Sequence, residues 1–146
     1  MLAVHACTNV TSYFYHSSKA AGRPSRTWFV LDSAAVHAIL VMNVALANPE
    51  WLGVSVANNA AFLALRLSID DSKAIAISSV SIVIDSVLIL GADVSNLFKI
   101  DYLLQCYIIC LIFYVDFFND LTYLCFHVLM WFNAHTMVSL KRSECF

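Results

Sequence analysis

The sequence contains few charged residues. Only 12% of its 146 residues are Asp, Glu, Lys or Arg, whereas an average soluble domain has roughly one-quarter. The net charge of -2 gives no basic patch for nucleic acid. Because 61% of the residues are apolar, the chain is also too apolar to remain disordered. These shortages exclude a nucleic-acid-binding or disordered protein, and they predict a single domain with much of its surface facing lipid.

Glycine and proline are also scarce, with 3 and 2 residues. The sequence has no internal repeat, no Gly-rich phosphate loop, no Gly-x-Ser-x-Gly elbow and no His-Glu-x-x-His motif. Because helix-breaking glycine and proline are scarce, long uninterrupted helices are favoured. The absence of these motifs means that the sequence does not support an enzyme.

Apolar segments with at most two charged residues each occupy most of the chain. They cover residues 28–48, 51–67 and 74–92, followed by a long tract over 102–139 that holds one or two helices. Roughly 20 helical residues cross the hydrocarbon core of a bilayer, and open sheets cannot lie in lipid with unpaired edges. We therefore predict an all-α integral membrane protein, a bundle of about four transmembrane helices with three to five possible. Residues 1–27 are predicted as a basic polar tail and 141–146 as a short C-terminal tail.

Two alternatives remain open at this point. The β-branched residues within 74–84 also fit strands of a soluble sheet. The number of spans depends on the last tract: five spans place Lys141 and Arg142 outside, whereas four place both termini and seven basic residues inside. The positive-inside rule favours four spans.

Polar residues interrupt the apolar segments at similar depth. Asp85 lies near the middle of 74–92, where an acid costs roughly 2.5–3.5 kcal/mol on insertion scales. His37 lies near the middle of the first segment, and Asn58 and Asn59 near the middle of the second. We expect these four residues to form a polar layer at the membrane midplane. It is either structural, through hydrogen bonds between helices, or proton-linked.

Cysteines and histidines do not form a recognised site. The 5 cysteines are odd in number, and three lie inside the long apolar tract, unlike a disulfide framework. Cys106 and Cys110 share a helix face, and Cys125 is close to His127, but neither spacing is a zinc pattern. We predict no catalytic, cofactor-binding or metal-binding residues and no cofactor.

A short stretch resembles a known family. Residues 59–85 contain, in order, Asn59, Leu63-Ala64-Leu65, Ser68-Ile69-Asp70, Ser81-Ile82 and Asp85. This order resembles the angiotensin II type-1 receptor-associated protein family, in which an asparagine in a hydrophobic helix precedes a Ser-x-Asp linker and a helix containing an acid. The resemblance implies a small multi-span membrane protein that affects receptor trafficking without catalysis.

The sequence thus predicts a multi-span membrane protein without catalytic activity, acting as a membrane-complex subunit or trafficking adaptor. Its expected partners are the lipid bilayer and other membrane proteins, and no nucleic acid. The expected location is an endomembrane or the plasma membrane, with the mitochondrial inner membrane as an alternative. Two further hypotheses are a proton- or ion-coupled transport component that uses Asp85, and a translated reading frame with no selected function.

Overall fold

A computed structural model describes residues 2–69, 71–92 and 96–114, together with positions 128, 132, 135, 136 and 139. Over these residues the chain forms helices and no strand. The α-helices are α1 (Leu2–Ala20), α2 (Arg26–Ala47), α3 (Leu52–Ser68), α4 (Asp71–Leu90) and α5 (Asn96–Tyr114). The predicted all-α class is confirmed, and α4 replaces the strands of the soluble-sheet alternative.

The first helix lies where the sequence predicts a polar tail. Its end is built by Gly22, whose φ of 68° is readily adopted by glycine. Gly22 N–H donates to the Lys19 carbonyl and Arg23 N–H to the Ser18 carbonyl, both at 3.0 Å. These two bonds form a Schellman motif, which satisfies the last carbonyls of a helix. The structure therefore has a helix with a complete C-terminal cap where the sequence predicts a polar tail.

The boundaries of α2 follow from local hydrogen bonds. The Ser25 side chain accepts a hydrogen bond from the Trp28 N–H and begins α2. At the other end, Asn48 N–H donates to the Val44 carbonyl at 2.7 Å. A short 3-10 turn, Pro49–Trp51, then leads directly into α3. Proline suits this first position because its nitrogen has no hydrogen to leave unpaired.

Consecutive helices pack against one another, and α2 also contacts α4. Phe14 of α1 stacks on Trp28 of α2 with ring centroids 4.6 Å apart, and Tyr15 lies 5.5 Å from Phe29. Because later residues of α1 meet earlier residues of α2, these two helices are antiparallel. At the far end of α2, Asn48 Nδ2 donates to the Leu88 carbonyl of α4 at 2.8 Å.

Only part of the long tract 102–139 is described. Its beginning lies in α5, where Gln105 Nε2 donates to Asp101 at 2.7 Å and the Thr136 hydroxyl donates to the same carboxylate at 3.1 Å. Thr136 therefore contacts the first half of α5. Apart from the five isolated positions, the rest of the predicted last helix and the tail 141–146 lie outside the described residues.

One helix of the described chain, α2, is long and apolar enough to cross a membrane. The Val80–Leu90 part of α4 is apolar but shorter. Core helices of soluble proteins share this length and composition, so the distribution of side chains between interior and surface is the more informative feature.

The interior holds polar as well as apolar side chains, while many large apolar side chains are exposed. Ser33, Ser55, Ser81 and Asp85 have 0% of their surface exposed. The exposed apolar residues include Val80, Val83 and Val87 on α4 and Ile100, Leu103, Leu104 and Tyr107 on α5. Residues three and four positions apart share a helix face, so each of these helices presents an apolar stripe to its surroundings.

A buried polar cluster between three helices

The structure brings the four sequence-predicted polar residues together. His37 extends from α2, Asn58 and Asn59 from α3, and Asp85 from α4. His37 is 3% exposed, Asn59 3% and Asp85 0%, whereas Asn58 is half-buried. These four residues, with Ser55 and Ser81, are called the polar cluster below.

Asn59 is the centre of the cluster. Its Nδ2 donates to Asp85 Oδ2 at 2.6 Å and to the Ser55 carbonyl at 2.9 Å. Its Oδ1 accepts from the Ser81 hydroxyl at 3.1 Å and lies 2.7 Å from His37 Nδ1. An amide has two donor hydrogens and one acceptor oxygen, so the Asn59 side chain is fully used and joins α2, α3 and α4.

Asp85 is surrounded by hydrogen-bond donors. The Ser55 hydroxyl donates to Oδ1 at 3.0 Å, and Asn58 Nδ2 approaches the same oxygen at 3.4 Å. With the Asn59 amide on Oδ2, both carboxylate oxygens have partners. Buried polar atoms cost free energy chiefly when they lack a partner, so this arrangement makes a buried carboxyl group tolerable.

The contact with Asn59 determines the hydrogen position on His37. Asn59 Oδ1 is an acceptor, so the ring nitrogen facing it, Nδ1, must carry a hydrogen. In the neutral ring the other nitrogen, Nε2, is then an acceptor. His37 Nε2 is buried and has no hydrogen-bond partner among the described residues.

Sequence reasoning did not place Ser55 and Ser81 in the cluster. Ser55 lies four residues before Asn59 on α3, and Ser81 lies four residues before Asp85 on α4. Residues four apart are neighbours on a helix face. This spacing is the signal from which both serines were predictable once Asn59 and Asp85 had been selected.

A second polar group lies at the end where α1 stops, α2 starts and α3 stops. Arg26 and Arg66 lie over the Phe29 ring, with guanidinium carbons 5.2 and 5.6 Å from its centroid. Asp32 is buried, accepts a hydrogen bond from Ser12 and is attracted by the charge of Arg66. With Lys19 and Arg23, also near this end, these residues make it the basic end of the bundle.

The polar cluster has the chemistry of a hydrogen-bonded junction. Its members offer hydroxyls, amides, one imidazole and one carboxyl group; the Ser55 hydroxyl donates to Asp85 and the Ser81 hydroxyl to the Asn59 amide oxygen. Within the described ranges, no three His, Cys, Asp or Glu side chains are placed to hold a metal ion. The arrangement can fix helix packing and can exchange a proton at His37.

No family model, curated protein or solved structure matches this chain.

Proposed function

We propose that this chain is a multi-span membrane protein that acts as a membrane-complex subunit or trafficking adaptor by binding other membrane proteins. The observation that carries the proposal is the placement of polar and apolar side chains: Asp85 and three serines are fully buried, while α4 and α5 present exposed apolar stripes. In water such contiguous apolar surface is a liability. In a bilayer it is the expected surface, and ionisable side chains face the interior.

The polar cluster supports a structural role for its residues. It connects α2, α3 and α4, with Asn59 contacting both α2 and α4, and most of its polar atoms have partners. Helices in lipid gain little from apolar contact with one another, so packing and interhelical hydrogen bonds determine their arrangement. A bundle fixed from within in this way leaves its outer stripes available to lipid and to helices of other proteins.

The binding role rests on those outer stripes. Val83 and Val87 of α4 and Leu104 and Tyr107 of α5 offer exposed apolar surface. The resemblance at residues 59–85 points to the same class, a small membrane protein that affects receptor trafficking. We place the protein in an endomembrane or the plasma membrane.

Fractionation of cells that express the native chain tests the membrane proposal. The chain is expected in the membrane pellet and should stay there after extraction at alkaline pH, which releases peripheral proteins. Recovery in the soluble fraction contradicts the proposal. Failure to detect the native chain in any fraction favours a translated reading frame without a selected function.

Purification in mild detergent tests the binding role. We expect the full chain to elute with other membrane proteins at a mass well above its own 16.3 kDa plus micelle. A variant with Val83→Ala and Val87→Ala alters one stripe and leaves the polar cluster unchanged, so it should lose α4-dependent partners while keeping its helix content. Elution as a lone monomer contradicts a subunit or adaptor role.

A further inference from the structure

The Asp85 carboxyl group is completely buried and accepts hydrogen bonds only from neutral donors, Ser55, Asn58 and Asn59. Among the described residues, no Lys or Arg forms an ion pair with it. Because hydrogen bonds reach both oxygens, the carboxylate form fits this site. A buried carboxylate without a counterion is costly, and the cost falls when a positive charge is brought near.

His37 is the one member of the polar cluster that can become a cation. Its Nδ1 already donates to Asn59 Oδ1, so protonation at Nε2 leaves every hydrogen bond of the cluster unchanged. The same amide donates from Nδ2 to Asp85. A protonated His37 would therefore be joined to the carboxylate through one neutral amide.

We propose that the polar cluster is a proton-binding site that holds one proton on His37 Nε2, with Asp85 as its counterion through Asn59. The Nε2 lone pair takes the proton from hydronium, which leaves as water, and the net charge of the cluster changes from −1 to 0. The Asn59 amide carries the electrostatic coupling and keeps its own hydrogens, since an amide is a poor proton donor. Asp85 thereby stays a carboxylate.

Buried polar atoms indicate how the proton reaches Nε2. Ser33 lies one turn before His37 on α2, and its hydroxyl is buried without a partner among the described residues, as is Asp32 Oδ1. Polar interior positions of this kind are where buried water binds. Asp32 and Ser33 both lie between His37 and the basic end, so water and the proton are expected to enter from that end.

Charged and titratable groups face His37 from each neighbouring helix. Asp32 lies on its own helix, Arg66 on α3 is close enough to repel a positive ring, and Asp85 lies on α4. On α1, which packs against α2, the buried ionisable side chains are His5 and Tyr15. Asp85 is the group whose hydrogen bond reaches the amide that His37 contacts, so its charge is expected to control ring protonation.

Nitrogen-15 NMR of the His37 ring, in the full chain in nanodiscs at pH 6, tests the proposal. We expect a doubly protonated ring together with the carbon-13 signal of an ionised Asp85. The variant Asp85→Asn should lower the ratio of doubly to singly protonated rings at least about tenfold, which corresponds to one pH unit. The control Asp101→Asn removes an exposed carboxylate on α5 and should leave the ring unchanged.

A singly protonated His37 ring at pH 6 in the unaltered protein, or a protonated Asp85 beside it, overturns the proposal. So does Asp85→Asn if it folds and keeps the ring doubly protonated. If that variant does not fold, the His37 and Asp85 signals of the unaltered protein test the proposal on their own. If His37 is not doubly protonated but the chain still inserts into the membrane, the proton-binding proposal fails and the proposed membrane function stands.

Discussion

His37 Nδ1 and Asn59 Oδ1 lie 2.7 Å apart, and this contact fixes the direction of hydrogen bonding through the polar cluster. Because the amide oxygen faces the imidazole, the amide nitrogen faces Asp85. The amide oxygen also accepts the Ser81 hydroxyl. The Asn59 side chain on α3 thus contacts both α2 and α4, so its removal affects three helices at once.

The variant Asn59→Leu should destabilise the protein by about 3 kcal/mol. Leucine has a similar size but leaves His37 Nδ1 and one Asp85 oxygen without partners, and each buried unpaired group costs about 1–3 kcal/mol. Denaturant unfolding followed by circular dichroism measures the loss in free energy of unfolding.

Asn58→Leu is the matched control for that variant. Asn58 is half-buried, and its hydrogen bonds to Ser81 and Asp85 are long, at 3.3 and 3.4 Å. Its replacement should therefore cost less than about 1 kcal/mol. Equal losses for the two variants would contradict the central position of Asn59.

Gly22→Ala should destabilise the turn between α1 and α2 by about 1 kcal/mol. A Cβ at position 22 meets no atom within 4 Å, so the cost comes only from the left-handed backbone at φ 68°. Gly53→Ala, in the first turn of α3 with equally open surroundings, should stabilise by about 0.5 kcal/mol because helix interiors disfavour glycine. Both are measured by the same unfolding experiment, and a loss at Gly53 as large as at Gly22 would point to a cause other than backbone conformation.

Val83→Lys distinguishes a lipid-facing surface from a water-facing one. Val83 is 55% exposed near the middle of α4. In lipid, a lysine at the centre of a helix costs roughly 2.5–3.5 kcal/mol, so insertion into microsomal membranes should fall by about tenfold or more. The control Ser68→Lys places the same charge at the exposed end of α3, where a cation is favourable, and should insert normally. Normal insertion of Val83→Lys, or improved solubility without membranes, would contradict the lipid-facing assignment.

The fold was largely predictable from hydropathy, and α1 was the exception. The predicted segments 28–48, 51–67 and 74–92 correspond to α2, α3 and α4 within a few residues. By contrast, α1 contains His5, Thr8 and Ser12 on its buried face, so its composition is typical of a polar tail. Its packing against α2, with Phe14 on Trp28 and Tyr15 beside Phe29, makes it part of the bundle, and such pairing is not visible in either segment alone.

The grouping of the cluster residues was predictable from depth, whereas its connections were not. Matching positions along antiparallel helices place His37, Asn59 and Asp85 at one level. Which side chain lies in the centre depends on helix rotation, which the sequence constrains weakly because α4 is apolar on most of its circumference. The central position of Asn59, between the imidazole and the carboxylate, therefore had to come from the structure.

Cysteine labelling tests the orientation of the bundle. The basic end carries Lys19, Arg23, Arg26 and Arg66, and the positive-inside rule assigns it to the cytoplasm. In a chain without its native cysteines, Ala21→Cys and Ser68→Cys occupy that end on exposed positions, and Glu50→Cys occupies the opposite end. A maleimide that cannot cross the membrane should label Glu50→Cys in intact cells and the other two only after permeabilisation. Labelling of Ala21→Cys and Ser68→Cys from opposite sides would contradict the antiparallel arrangement, because both residues lie at the basic end. Equal labelling of all three in intact cells would contradict a membrane-spanning bundle.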